Sequence, residues 1–195
     1  MENIISIHEL ENRMRPGAYS MVGFLGVTES LEEVLRQDEL TLQNLGLNYE
    51  RLATELEKIV SNALRQKQER VYKNHQELME REYPPISWRQ DSSAPIFSIN
   101  NLPGTEIGYL IDNKYQLIFA QSKGFQDCPW NCNEQHWGSF DFLLLNRQTG
   151  EYIIAPGLIV HLIREHHFFE GLESPYRVEP SKLAQVLKLF HEHRA

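Results

Sequence analysis

The residues best suited to chemistry lie between Asp127 and Gly171. Cys128 and Cys132 enclose a Pro-Trp-Asn segment, and His161, Glu165, His166 and His167 follow on a later stretch of helical character. Three residues separate the cysteines and four separate His161 from His166, a spacing that fits a Cys2His2 zinc site, although the interval between the pairs is longer than in a zinc finger. Two thiolates and two imidazoles form a four-coordinate tetrahedral donor set for Zn2+. Cys128 and Cys132 are the only cysteines, which excludes a disulfide scaffold. In a reducing compartment such a close pair is more often a metal or redox device than a staple.

Helix geometry complicates the fourth ligand. At about 100° per residue, His161 and Glu165 lie about 40° apart on one face, whereas His161 and His166 diverge by about 140°. In a regular helix His166 falls among Leu158, Ile159, Leu162, Ile163 and Phe169, where it reads as a core histidine bonded to a backbone carbonyl. The quartet Cys128, Cys132, His161 and His166 therefore requires the helix to tighten or end near Glu165. Otherwise Glu165, or His136 in the loop, is the better fourth donor.

Other chemistries fit less well. The cysteine spacing is one residue longer than the Cys-x-x-Cys of a disulfide oxidoreductase, and no β-α-β pattern surrounds it. A Cys-His nucleophile needs Cys128 or Cys132 to meet His161 or His136 in space. Phe125, Trp130, His136, Trp137 and Phe140 put aromatic side chains in and beside the cysteine loop, so they either line a small-molecule pocket or fold onto a sheet. Arg164 and Arg177 are candidates for binding an anion.

The elements that must position these residues are α+β in pattern. Ser6 with Glu9 and Ser30 with Glu33 have capping-box spacing, ahead of a short helix to Arg13 and a longer one carrying Leu31, Val34, Leu35, Leu42 and Leu45 on one stripe. Between them, Pro16 to Gly26 is a glycine-containing loop expected to pack by its apolar side chains. Gly46 caps the longer helix, and Asn48 opens another with Leu52, Leu56, Ile59, Ala63, Val71 and Leu78 on its stripe, running as far as Glu82 before Pro84-Pro85. An N-terminal antiparallel helical pair is the expectation. The body from residue 86 reads as a mostly antiparallel sheet of about four to five strands. The candidates are Ile96 to Ile99, Ile107 to Ile111, Tyr115 to Ala120, Phe140 to Leu145 and Glu151 to Ile154, with turns at Asp112-Asn113-Lys114 and Asn146 to Gly150. The continuous apolar run Phe142 to Leu145 marks a central strand covered on both faces. Two C-terminal helices follow, from about Gly157 to Phe169 and after Pro180, the second burying Leu183, Val186, Leu187 and Phe190.

Length and composition bound the rest. A chain of 195 residues with 41% hydrophobic content can bury a continuous core, so residues 1–195 read as one domain, mainly helical over 1–85. A net charge of -8 opposes association with a phosphate backbone, and no nucleic-acid partner is expected. The N-terminus has neither the basic start nor the apolar run of a secretory signal, and no uncharged apolar stretch spans a bilayer, which points to a cytoplasmic protein. Gly-rich phosphate loops are absent. The leading expectation is a small cytoplasmic zinc protein with a structural or interaction role. The alternatives are a metal- or His-dependent enzyme acting on a small substrate at residues 127–171, and a metal-free protein with a small-molecule pocket. A protein partner, including a second copy through the long helix, is also compatible with the pattern.

Overall fold

The computed structural model describes residues 5–78, 108–121, 125–132, 137–138 and 140–189. The expected strand at Ile96 to Ile99, the end of the long helix near Glu82, and His136 and Phe190 lie outside these residues. Among those described, five helices accompany a four-stranded antiparallel sheet, an α+β fold. The elements are α1 (Ile7–Met14), α2 (Leu31–Asn44), α3 (Tyr49–Leu78), β1 (Tyr109–Ile111), β2 (Tyr115–Gln121), β3 (Phe140–Asn146), β4 (Tyr152–Pro156), α4 (Ile159–His166) and α5 (Pro180–Leu187).

The starts of α1, α2 and α3 form where side chains replace missing backbone partners. Ser6 Oγ accepts from Glu9 N at 3.2 Å, Ser30 Oγ from Glu33 N at 3.5 Å, and Asn48 Oδ1 from Arg51 N at 2.9 Å. Gly46 takes φ 64° just beyond α2, a conformation that costs a glycine little.

The sheet runs in chain order, β1-β2-β3-β4; short turns join β1 to β2 and β3 to β4, while the stretch between β2 and β3 carries the two cysteines. Asp112 and Asn113 adopt φ 50° and 55° between β1 and β2, while Gly150 takes φ 76° between β3 and β4. In the observed register, Tyr115, Leu117 and Phe119 share a face with Phe142, Leu144 and Asn146. α5 covers that face: Tyr115 Oη donates to Leu187 O at 3.0 Å and Asn146 Nδ2 to Val186 O at 2.7 Å. β3 is central and buried throughout except at half-buried Leu145. The sequence stripe of α5 is confirmed at Leu183, Val186 and Leu187.

The long helices cover different parts of this core. α2 packs on α5, whereas α3 packs on α4, α5 and the β1-β2 edge. Asp38, in the middle of the α2 stripe, is 1% exposed and meets the Arg177 guanidinium at 2.6 Å, just ahead of α5. Arg177 also donates to Glu179 and, at 2.5 Å, to Glu170 O. Burial pushes the Asp38 carboxyl up and the adjacent guanidinium opposes that rise. The expected role of Arg164 and Arg177 in anion binding is therefore corrected. Arg177 is consumed by carboxylates of its own chain, and Arg164 is paired with Glu57.

The loop from Pro16 to Gly26 also departs from expectation. Of its larger apolar side chains only Phe24 and Leu25 are buried, whereas Met21 is 87% exposed and Tyr19 and Val22 also face solvent. Glu29 holds the loop instead, accepting from Gly26 N at 2.6 Å and Glu173 N at 3.1 Å.

Removing one partner of a buried ion pair strands the other charge, at a cost of about 3–5 kcal/mol. Asp38→Ala is expected to lose that much in urea denaturation, whereas Asp38→Leu combined with Arg177→Met loses far less. Equal losses for the two variants would show that volume rather than charge is what matters at this position.

Candidate metal centre

Four segments converge at one end of the sheet. The cysteine loop is a tight turn, closed by Asn131 N donating to Cys128 O at 2.8 Å and by Asn131 in the left-handed region at φ 61°. Asparagine tolerates that conformation better than most side chains. The turn carries Cys132 back beside Cys128, and it turns backbone N–H groups of Trp130 and Cys132 toward the Cys128 sulfur, where they favour its anion. Upstream, Gln126 N donates to Gly138 O at 2.8 Å, and a Cβ on Gly138 would come within 2.5 Å of Gln126 O. A side chain at Gly157 would likewise meet Trp137 O at 2.5 Å. These two close approaches seat the loop against β3 and the entry to α4.

Helix α4 is shorter than the expected span from Gly157 to Phe169. It ends at His166 because His167 adopts φ 55° and the N–H groups of His167 and Phe168 both turn back to Leu162 O. No further turn of helix lies beyond His166, so its ring is free to swing toward the loop. There it stacks flat on Trp130, with centroids 4.0 Å apart and 4° between planes, and meets His161 edge to face at 5.1 Å. The predicted burial of His166 in an apolar arc is thereby corrected: it is half-buried and lines the cysteine loop.

Cys128, Cys132, His161 and His166 consequently come together, each offering one ligand atom, with all four atoms within 4.8 Å of one another. His166 Nε2 lies 3.3 Å from Cys128 Sγ and 3.2 Å from Cys132 Sγ. Donors on a tetrahedral zinc with ordinary bond lengths are about 3.3–3.8 Å apart. The cluster is thus near the required size and needs only small side-chain adjustments. Glu165 is exposed and takes no part in it. His167 is also exposed and stacks instead on Tyr49, at 4.2 Å between centroids.

The electrostatics suit a cation. Burial pushes the Cys128 thiol up to about 12, so without positive charge nearby the group stays protonated. Burial, with help from His161 and His167, lowers His166 to about 4 and leaves its imidazole neutral and able to donate a lone pair. The site lies at the C-terminal end of α4, where the helix dipole also favours positive charge.

The sequence pattern marks Trp130 as one of the loop aromatics but not its part in the site, which is to stack on His166; its place between two candidate ligands is the visible signal. The aromatic residues of the loop mostly fold inward: Trp130 packs on Phe168 at 5.5 Å and Trp137 on Phe140 at 6.3 Å, while Phe125 is 46% exposed. Comparison of the chain with protein-family models, curated proteins and solved structures finds no match. Among the described residues, no helix is long and apolar enough to cross a membrane.

In the metal-free protein, the unfolded chain binds a proton at His166 near pH 6.5 and the folded chain only near 4. Folding stability is therefore expected to fall as pH drops through that window, by about 1–2 kcal/mol after screening of the half-exposed ring. His166→Phe keeps an aromatic ring on Trp130 and should lack this component in urea midpoints measured against pH. Identical profiles for the two proteins would contradict the assigned environment.

Proposed function

We propose that this chain is a small metal-binding protein in which one zinc ion, held by Cys128, Cys132, His161 and His166, ties the cysteine loop to the end of α4. The observation that carries the reading is the convergence of four ligand atoms from two distant segments within 4.8 Å. Two thiolates with two imidazoles in tetrahedral array suit zinc rather than the oxygen-seeking cations. Four protein donors fill the coordination shell, which supports a structural role over an enzyme, since catalytic zinc keeps a position for water or substrate. The proposal treats residues 1–195 as one domain and places the protein in a reducing compartment such as the cytoplasm, where both cysteines persist as thiols.

In this reading zinc supplies charge that the buried sulfurs need. Ligands must lose their protons to bind, so metal and protons compete for the same groups. The chain's own contribution is to orient the donors: the Cys128 turn fixes the sulfurs, and the Trp130 face and the stop at His167 aim His166.

Protein purified without added metal or chelator is expected to contain close to one equivalent of zinc by elemental analysis. The Cys128→Ser, Cys132→Ser double variant should lose it. Zinc at a thousandfold excess over its Kd should add about 4 kcal/mol of stability to the wild type alone. Less than about a tenth of an equivalent of any transition metal in the wild type, with no stabilisation by added zinc, would sink the proposal. Zinc that survives the His161→Ala, His166→Ala double variant would instead remove α4 from the ligand set.

A further inference from the structure

The two sulfurs differ in access. Cys128 is 1% exposed, while Cys132 is only partly buried, at the outer side of the same turn. Both approach a single atom, His166 Nε2, to within 3.3 Å, and no element of secondary structure separates them. The pair thus combines a reachable sulfur with a shielded neighbour close enough to displace whatever forms on it. On the zinc reading, we propose that Cys132 is an oxidation site for hydroperoxides, and that its disulfide with Cys128 releases the metal and with it the metal tie between the loop and α4.

The chemistry balances within named reagents. The Cys132 thiolate attacks one peroxide oxygen, an S–O bond forms, the O–O bond breaks, and the departing hydroxide takes a proton from solvent as water. Cys132 is oxidised to the sulfenic acid by two electrons and the peroxide is reduced. The Cys128 thiolate then attacks the Cys132 sulfur, forming the S–S bond and expelling hydroxide, which takes a second proton. In sum, two thiolates, one hydrogen peroxide and two protons give one disulfide and two waters. Zinc leaves because half of its donors no longer carry a lone pair of thiolate strength.

The position of the cysteines makes the structural outcome specific. Both sit on one loop, so their disulfide constrains only that loop and cannot replace the connection to α4. A bond between the loop and the helix would have preserved the tie; this one removes it. The helix end would then be held to the loop only by the stack of His166 on Trp130 and the packing of Trp130 on Phe168. A thiol reductant restores both sulfurs, so the change reverses when zinc is supplied.

The test uses the full-length zinc-loaded protein and hydrogen peroxide in stoichiometric steps. Zinc release is followed with a chelating dye, free thiols by titration, and the product by intact and peptide mass. One zinc released per peptide bearing Cys128 and Cys132 that has lost two hydrogen atoms, restored by dithiothreitol with zinc, is the expected result, with a lower melting temperature for the oxidised form. Cys128→Ser is expected to stop at oxygen adducts on Cys132 without the disulfide. Retention of zinc and both thiols in excess peroxide overturns the inference while leaving the metal site standing, and so does accumulation of sulfinic acid on the wild type in place of the disulfide. An absence of zinc before peroxide is added overturns the metal reading itself, and this inference with it.

Discussion

The termination of α4 at His166 governs much of the architecture at this end of the molecule. A residue in the left-handed region at His167 turns the chain out of the helix, and three consequences follow within four residues. His166 becomes the last helical side chain and reaches the cysteine turn. Phe168 and Phe169 go into the core, both fully buried, instead of continuing along a helix face. Glu170, also at positive φ, brings its carbonyl to Arg177 and so joins the connector to the ion pair with Asp38 on α2. Had α4 continued to Phe169, His166 would point into the apolar arc and the cysteine turn would face no imidazole from that position.

Energetically, the same end of the fold concentrates groups that resist burial. A shielded thiol meets a neutral imidazole at the end of α4, and the fully buried Glu170, whose carboxyl is pushed up to about 8, follows shortly after that imidazole in the chain. Ser174 Oγ donates to Glu170 at 2.5 Å, which favours the charged form but only partly offsets its burial. Such groups are costly unless each finds a partner. For the two sulfurs and two imidazoles, the partner in the proposed account is a cation, held where the C-terminal dipole of α4 already favours one. The Asp38–Arg177 pair solves the same problem without a metal, by bringing its own counter-charge.

Much of the fold was legible because local chemistry decided it. Ser6, Ser30 and Asn48 cap helices as their spacing indicates, and the turns at Asp112-Asn113 and Gly150 place the hairpins. The four candidate ligands were legible as residue types and intervals, whereas their convergence was not. It depends on a helix stop made by His167, a residue that carries none of the glycine or proline signal by which stops are read. The 140° divergence of His161 and His166 was a sound statement about a continuous helix, and tertiary structure overrode it. The buried ion pair left a clearer trace: Asp38 interrupts the α2 stripe between Val34 and Leu42, and a charge in that position calls for a partner. Its partner Arg177 lies far along the chain, beyond the reach of periodicity. The exposed Met21 shows the converse, since an apolar residue in a loop need not face the core.

The most direct measurement of the central claim is zinc K-edge X-ray absorption on the protein as purified. The account predicts a first shell of two sulfurs at about 2.3 Å and two nitrogens at about 2.0–2.1 Å, with the outer-shell scattering of imidazole rings. A shell of oxygen and nitrogen alone, or one with open positions filled by water, would contradict it.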